Sequence, residues 1–218
     1  MKTILFLVTL WVGSYVGPID PGDPRMIFND FTEGTVYLND RSQVRALLNY
    51  DAYDEQMIFN NNGEIMALAN PELIDRVEIE NRSFYWLEKD IFLERIDSAS
   101  VVIYKRHRRQ MQSKGKETSF GGVSQTQAVT TVDRLNRGSD YASASLKQKE
   151  AFGFKNDDLF YLYSEGKFNS LTTPKHFTKF FGTNKKNLTT YMQTHAIDLQ
   201  NAGDLIRLIQ YCRANAEQ

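Results

Sequence analysis

From residue 34 to about residue 110, apolar and polar residues alternate over short runs, and turn-forming residues recur at intervals of roughly 8 to 12. Val36 and Leu38 alternate with more polar neighbours, and so do Val77 and Ile79. Because successive side chains on a strand point to opposite faces, this pattern is typical of half-buried strands in an antiparallel sheet. We predict a meander of seven or eight strands, which closes into a barrel or stacks into a sandwich to protect its edges.

Short polar segments mark tight turns between these strands. Asn61-Asn62-Gly63 is the clearest, because Asn and Gly tolerate the positive φ that a hairpin turn requires. Asn81-Arg82 is expected to close the next hairpin, and Ser164-Glu165-Gly166 a later one. The other predicted strands are residues 91 to 96, 101 to 106, 159 to 163 and 167 to 171.

The C-terminal part changes to helical periodicity. Pro174 suits a first helical turn, and the apolar stripe after it stops at Gly182, a good C-cap residue. Two later stripes repeat at the i, i+3, i+4, i+7 spacing of one helix face; they are Leu188, Tyr191, Met192 and His195, then Leu205, Leu208, Ile209 and Cys212. With Asn201 as N-cap of the last stripe, we predict three short helices.

These patterns predict an α+β fold, in which an antiparallel β meander, barrel-like or sandwich, is followed by a β-hairpin and about three short C-terminal helices. Residues 111 to 147 interrupt both patterns, because they are rich in Ser, Gly, Thr, Gln and Lys, and a flexible loop or linker is predicted there. The predicted divisions are a signal peptide at 1 to 14, a β module at 25 to 110, the loop at 111 to 147, and a hairpin plus helical module at 148 to 218.

The first residues have the pattern of a cleavable signal peptide. Lys2 precedes an unbroken apolar run at residues 4 to 12, which ends near small residues. Cleavage after Ser14 fits best, because cleavage after Gly17 places Tyr15 where a small side chain is preferred. The run is far below the roughly 20 apolar residues of a membrane-spanning helix. We therefore expect an exported protein, periplasmic or extracellular, with no transmembrane helix.

The cysteine content narrows the cellular compartment in which the protein is expected to act. Cys212 is the only cysteine, so the fold depends on its hydrophobic core rather than on an intramolecular disulfide. This fits a bacterial envelope protein better than a secreted eukaryotic one. Charge is unevenly divided, since residues 18 to 98 hold 17 acids and 7 bases and residues 99 to 218 hold 10 acids and 18 bases. The two halves can neutralise each other or serve a charged partner.

No catalytic residue, metal ligand or cofactor-binding residue is assigned from the sequence, because no suitable residue types stand at a diagnostic spacing. His195 lies on an apolar helix stripe and is expected to pack there, and Cys212 is expected to be buried. Asp51, Asp54 and Glu55 lack the ligand spacing of a calcium loop and are interpreted as a solvated turn.

The densest charged feature is a basic run that follows the last meander strand. Around His107 it comprises Lys105, Arg106, Arg108, Arg109, Lys114 and Lys116. In an exported protein such a run fits an anionic glycan or glycolipid, or an acidic face of an envelope protein, better than nucleic acid. The competing interpretation is a strand end whose charges are solvated and discourage edge pairing.

Three segments carry a family resemblance. Residues 34 to 40, residues 48 to 59 and residues 204 to 211 resemble exported proteins of Bacteroidetes-type bacteria, a group without an assigned function. The resemblance implies an envelope location. It brings no catalytic residues to this chain.

Two functions are compatible with these observations. The leading hypothesis is a non-catalytic envelope protein that binds another macromolecule or a surface component, or serves as a structural accessory. The alternative is a hydrolase or transferase that acts on envelope glycans and gathers its polar residues only in the fold. A deep pocket with convergent carboxylates or a histidine dyad favours the enzyme, and a flat or grooved surface favours binding.

Overall fold

The computed structural model of this chain describes residues 15 to 16, 19 to 98, 101 to 113, 116 to 117, 123 to 124 and 152 to 216. These residues form an antiparallel sheet that is followed by three C-terminal helices. The predicted α+β fold is therefore confirmed.

One sheet of eleven strands carries the fold within the described residues. In their order across the sheet, the strands are β1 (Tyr15–Val16), β5 (Glu64–Ala67), β4 (Gln56–Asn61), β3 (Gln43–Asp51), β2 (Thr32–Leu38), β6 (Ile74–Ile79), β7 (Arg82–Glu88), β8 (Ile91–Asp97), β9 (Val102–Arg106), β14 (Leu159–Ser164) and β15 (Lys167–Ser170). The meander changes direction at β2, because the chain returns through a 3-10 turn at Pro71–Leu73 and adds β6 on the free side of β2. The sheet stays open, with β1 and β15 at its edges.

The hairpin turns follow the turn residues of the sequence. Asn62 and Gly63 adopt positive φ between β4 and β5, and a Glu-Gly pair does the same between β14 and β15. The hairpin between β6 and β7 turns one residue earlier than predicted, because Ile79 pairs with Arg82 and Glu80 takes the positive φ.

Strands β2 to β8 curl around a first core. The Cα atoms of β4 and β8 approach within 8 Å, although these strands are not hydrogen-bonded neighbours. Gly34 allows close packing in β2, because a Cβ at this position would lie 2.6 Å from the carbonyl oxygen of Glu78. The buried side chains of this core are Phe28, Val36, Leu38, Leu48, Tyr50, Ala52, Met57, Phe59, Ile74, Val77, Ile79, Phe84 and Phe92.

A second core lies between one face of β9 and β14 and the helices α1 (Pro174–Phe181), α2 (Lys185–Thr194) and α3 (Ala202–Ala214). The predicted helix ends are observed: Gly182 closes α1 with φ 69°, and the Asn201 side chain accepts a hydrogen bond from the Asp204 amide at 3.1 Å. The side chains buried in this core are Val101, Ile103, Phe160, Leu162, Leu171, Phe177, Leu188, Leu205, Leu208, Ile209 and Cys212. Cys212 therefore faces inward, as predicted.

The chain between β9 and β14 contains two short ladders. β10 (Arg109–Ser113) pairs with β13 (Phe152–Asn156), and β11 (Lys116–Glu117) pairs with β12 (Val123–Ser124). Strand structure thus enters the segment that the sequence predicts as a loop, since cross-strand hydrogen bonds to β13 hold its first three residues. Residues 116 to 117 and 123 to 124 of that segment form the second ladder, and its other residues lie outside the described residues.

At the other edge of the sheet, β1 pairs with β5 and places Tyr15 opposite Met66 and Val16 opposite Ile65. The predicted signal peptide, residues 1 to 14, lies outside the described residues. Within the described part of the chain, no helix combines the length and apolar character needed to cross a membrane.

Candidate functional site

The first candidate surface is the basic run at the end of β9, and carboxylates meet its first two cations. Lys105 Nζ lies 2.8 Å from Asp158 Oδ2. Arg106 donates from Nε and Nη2 to the two carboxylate oxygens of Glu55, at 2.6 and 2.8 Å. Such a two-bond arginine–carboxylate pair is among the stronger ion pairs in proteins.

The next two arginines of the run also contact other parts of the chain. Arg108 forms an ion pair with Asp157, and its backbone amide donates to Asp158 Oδ1 at 3.1 Å. The Arg109 amide donates to the Ala52 carbonyl at 2.7 Å, which ties this junction to the β3–β4 turn. The side chains of Lys114 and Lys116, the last two cations of the run, lie outside the described residues.

His107 lies in the middle of the same junction and is 7% exposed. Its Nε2 is 2.5 Å from Glu94 Oε2, and Arg82 donates to both oxygens of that carboxylate at 2.7 and 2.8 Å. Burial lowers the pKa of His107, against the opposing effect of Glu94. His107 Nε2 lies within hydrogen-bonding distance of both Glu94 Oε2 and Arg82 Nη2, at 2.5 and 3.1 Å.

Glu94 stays ionised in this cluster. Burial raises its pKa, but the hydrogen bonds from His107 and Arg82 outweigh burial and lower the pKa to about 2. The recorded contacts of His107, among the described residues, are with Glu94, Arg82, Asp158 and the ring of Tyr50, and include no Ser, Thr or Cys side chain. Among the described residues, these contacts place no hydroxyl or thiol nucleophile of covalent catalysis beside the pair. It has the features of a structural ion-pair cluster.

Two acids of the β3–β4 turn, Asp51 and Glu55, are buried and only Asp54 is partly exposed, which corrects the interpretation of a solvated turn. Asp51 is 0% exposed and Glu55 is 3% exposed. Asp51 accepts hydrogen bonds from the Tyr53 and Asp54 amides, and its other oxygen lies 3.5 Å from Arg25 Nη1. Burial raises the pKa of Asp51 to about 6. The turn folds inward because arginines on distant segments supply counter-charges, and alternation along the chain does not reveal those partners.

The described residues contain no group of three or more His, Cys, Asp or Glu that could hold a metal ion. The buried carboxylates instead have arginine and histidine partners. Asp51 faces Arg25, Glu55 faces Arg106, and Glu94 faces both Arg82 and His107. Each of these carboxylates therefore has a cationic or histidine partner inside the protein.

A second candidate surface, which the sequence analysis missed, is formed by α1 and α2. We call it the lysine face and define it by four exposed lysines, Lys175, Lys179, Lys185 and Lys186. No ion pair is recorded between any of them and a carboxylate of the described residues. The sequence signal was present, because residues 166 to 197 contain five lysines and no Asp or Glu.

The sequence of α1 explains how this face is presented. Phe177 is fully buried in the second core, and Phe181 packs against that core. At 100° per residue, Lys175 and Lys179 then point away from the core on one outward stripe. Phe180 lies between the core-facing side of α1 and the lysine stripe. It is 37% exposed, and its ring centroid lies 4.9 Å from that of Phe181.

The start of α2 adds a shallow, open groove to the lysine face. Its lining residues are Asn184, Lys185, Lys186, Thr189 and Thr190. The Asn184 side chain caps the helix by accepting from the amides of residues 186 and 187, and no acidic residue lies in the first turn. A shallow groove of this kind suits contact with an extended or flat partner.

His195 is exposed and is not buried with the apolar stripe of α2, although its ring stacks on one residue of that stripe, which corrects the expectation that it packs within the stripe. The helix ends at Thr194, and His195 is the exposed residue after it. Its ring stacks on Tyr191 at 4.1 Å, and Tyr191 stacks on Tyr211 at 3.9 Å. The part of the stripe that packs against the second core therefore ends at Met192, because the helix ends at Thr194, before His195.

An aromatic cluster lies on the sheet face opposite the helices. Leu162 of β14 packs towards the helices, so Tyr163 points the other way and is 51% exposed. The ring of Tyr163 lies 4.9 Å from Phe168, and Phe168 lies 4.8 Å from Tyr104, edge to face. The rings largely pack against one another, and Tyr163 is the most exposed of them.

No protein-family model, no curated protein and no solved structure matches this chain.

Proposed function

We propose that this chain is an exported bacterial envelope protein that acts as a non-catalytic binding module, with the lysine face as its contact surface for an anionic envelope component. The observation that carries the proposal is the charge contrast between two surfaces. Lys105, Arg106 and Arg108 of the basic run are each paired with a carboxylate, whereas the lysine face has exposed cations and no acid in the surrounding sequence.

The arrangement of ionisable groups supports binding rather than catalysis. Burial restricts access to the His107–Glu94 pair, and the groove at the start of α2 is shallow and open. A lysine near an anionic surface contributes about 1 kcal/mol. Four lysines together contribute about 4 kcal/mol, which corresponds to a dissociation constant of about 1 mM. Weak, salt-sensitive binding is the expected result.

Export is supported by the N-terminal pattern and by the position of β1. Cleavage after Ser14 retains Tyr15 and Val16, which pair with β5, whereas cleavage after Gly17 removes this edge strand. N-terminal sequencing of the protein from the native envelope is expected to begin at Tyr15. Recovery of cytosolic protein with Met1 intact would overturn the proposed export.

Binding is tested on immobilised heparin, a soluble polyanion used here as a probe. The triple variant Lys175→Gln, Lys179→Gln, Lys186→Gln is expected to elute at much lower NaCl than the unmodified protein, because the number of cations in contact sets the salt dependence. A matched control, Arg41→Gln, Arg45→Gln, Lys89→Gln, removes three exposed cations from the β module. Equal elution of the two variants would refute the assignment to the lysine face.

A further inference from the structure

We propose that the lysine face docks this protein on the surface of a bilayer rich in anionic phospholipid, with Phe180 entering the interfacial layer. The proposal rests on the proposed function and deepens it, since it names the partner of the same surface. A soluble polyanion needs only the lysines. The additional feature here is an exposed aromatic side chain at the border of the cationic stripe.

The order of residues on α1 fits an interfacial contact. Lys175 and Lys179 lie one helical turn apart on the outward stripe, and Phe180 follows at its border. Long lysine side chains keep their ammonium groups among lipid phosphates while an adjacent aromatic ring sits deeper. Lys186 extends the cationic surface to α2, which packs beside α1.

The fold also limits how deep the contact can be. Phe177 is 0% exposed in the second core, so the apolar side of α1 is already occupied by the protein. The helix cannot turn that side to the lipid without unfolding the core. The structure therefore assigns a reversible, peripheral contact in which one aromatic ring and several lysines act together, and which fails at high salt.

Charge complementarity favours the anionic lipid surface as the occupant. No carboxylate of the described residues is recorded as a partner of the lysine face, so none of these acids competes with a negative surface potential for its cations. The aromatic cluster around Tyr163 has a larger exposed ring but no comparable lysine cluster recorded beside it. Tyr163 therefore serves as the control position for Phe180.

The test uses the processed chain purified after export, because residues 4 to 12 would themselves bind lipid. Sedimentation is measured with vesicles of phosphatidylcholine alone and of phosphatidylcholine with phosphatidylglycerol. We expect binding only to the anionic vesicles, and its loss in about 0.5 M NaCl, roughly a threefold rise over physiological ionic strength. Phe180→Ser is expected to reduce partitioning roughly fivefold, and each Lys→Gln change on the face by a similar factor.

The controls separate this proposal from the proposed function. Phe180→Ser is expected to leave the heparin elution unchanged, and Tyr163→Ser to leave vesicle binding unchanged. A Phe180→Trp variant is expected to show a blue shift of fluorescence with anionic vesicles only. Heparin binding without vesicle binding would overturn membrane docking and leave the binding module intact. Loss of both would overturn both, and equal binding to neutral vesicles would overturn the electrostatic contact.

Discussion

The basic run after β9 and the lysine face on α1 and α2 differ in what their cations meet. In the run, Lys105, Arg106 and Arg108 each contact a carboxylate. On the lysine face, the side chains extend into solvent and no carboxylate partner is recorded within the described residues. Charge density along the sequence is higher in the run, yet the lysine face is the surface whose clustered cations have no recorded carboxylate partner among the described residues.

The partners of the run come from distant parts of the chain. Glu55 is on the β3–β4 turn, Glu94 is on β8, and Asp158 precedes β14. The curled sheet brings these three elements to one end of β9. A cluster of cations in a sequence therefore predicts a binding surface only when the fold leaves it without counter-charges.

The largest expected effect comes from breaking the best-formed pair of the run. Glu55→Gln leaves the Arg106 guanidinium largely buried beside a neutral amide, and we expect a loss of about 4 kcal/mol in the free energy of unfolding. Urea denaturation measures it. Glu64→Gln, an exposed acid at the start of β5, is the matched control and is expected to change the free energy by less than about 0.5 kcal/mol. Equal stability of the two variants would show that the pair is not structural.

The next effect is a pH dependence at Asp51. Its folded pKa of about 6 is above the ordinary value of 3.8, so the folded state binds the proton more tightly. The protonated Asp51 therefore contributes up to about 3 kcal/mol to the free energy of unfolding. This contribution is fully present below pH 3.8 and is lost as the pH rises through 6. Burial lowers the pKa of His107, so the titration of His107 makes the unfolding free energy rise with pH, in the opposite direction. The unmodified protein is therefore compared with Asp51→Asn at each pH, which isolates the contribution of Asp51.

Asp51→Asn keeps the acceptor for the Tyr53 and Asp54 amides and removes the titration. Between pH 4 and pH 7 the unmodified protein is expected to lose stability relative to the variant, because only the unmodified protein loses the contribution of protonated Asp51. A difference that stays constant over this range would contradict a buried carboxyl at Asp51.

A smaller effect is expected in the core beneath the lysine face. Cys212 is 0% exposed, and burial raises the pKa of its thiol. Native protein should therefore react with a thiol reagent many times more slowly than unfolded protein. Cys212→Ser is expected to lower the unfolding free energy by about 1 kcal/mol, because the hydroxyl is more costly to bury than the thiol. Fast labelling of the folded protein would show that α3 detaches readily from the core.

The smallest effect is expected on the lysine face itself. Lys179→Gln removes an exposed charge with no recorded ion pair among the described residues, so its unfolding free energy should change by less than about 0.5 kcal/mol. The same variant should still lower retention on heparin. A large loss of stability would mean that the lysine has a structural partner, and the contrast with Glu55 would disappear.

Local patterns were sufficient for most elements of the fold. Alternation predicted the strands, Asn62 and Gly63 the hairpin turn, and Gly182 and Asn201 the helix ends, because these features depend on neighbours in the sequence. The position of β6 beside β2 and the curl that brings β4 near β8 were not predictable in this way. They depend on which distant strands pair, and alternation does not encode that choice.

The sequence by itself determined the α+β class, the inward side of the last helix with Cys212, and the excess of cations in the C-terminal half. Only the tertiary structure decided which cations are free. Ion pairing acts over a few ångströms between residues far apart in the chain, as between Arg106 and Glu55. The fold therefore paired three cations of the conspicuous basic run with carboxylates and left the lysine face exposed.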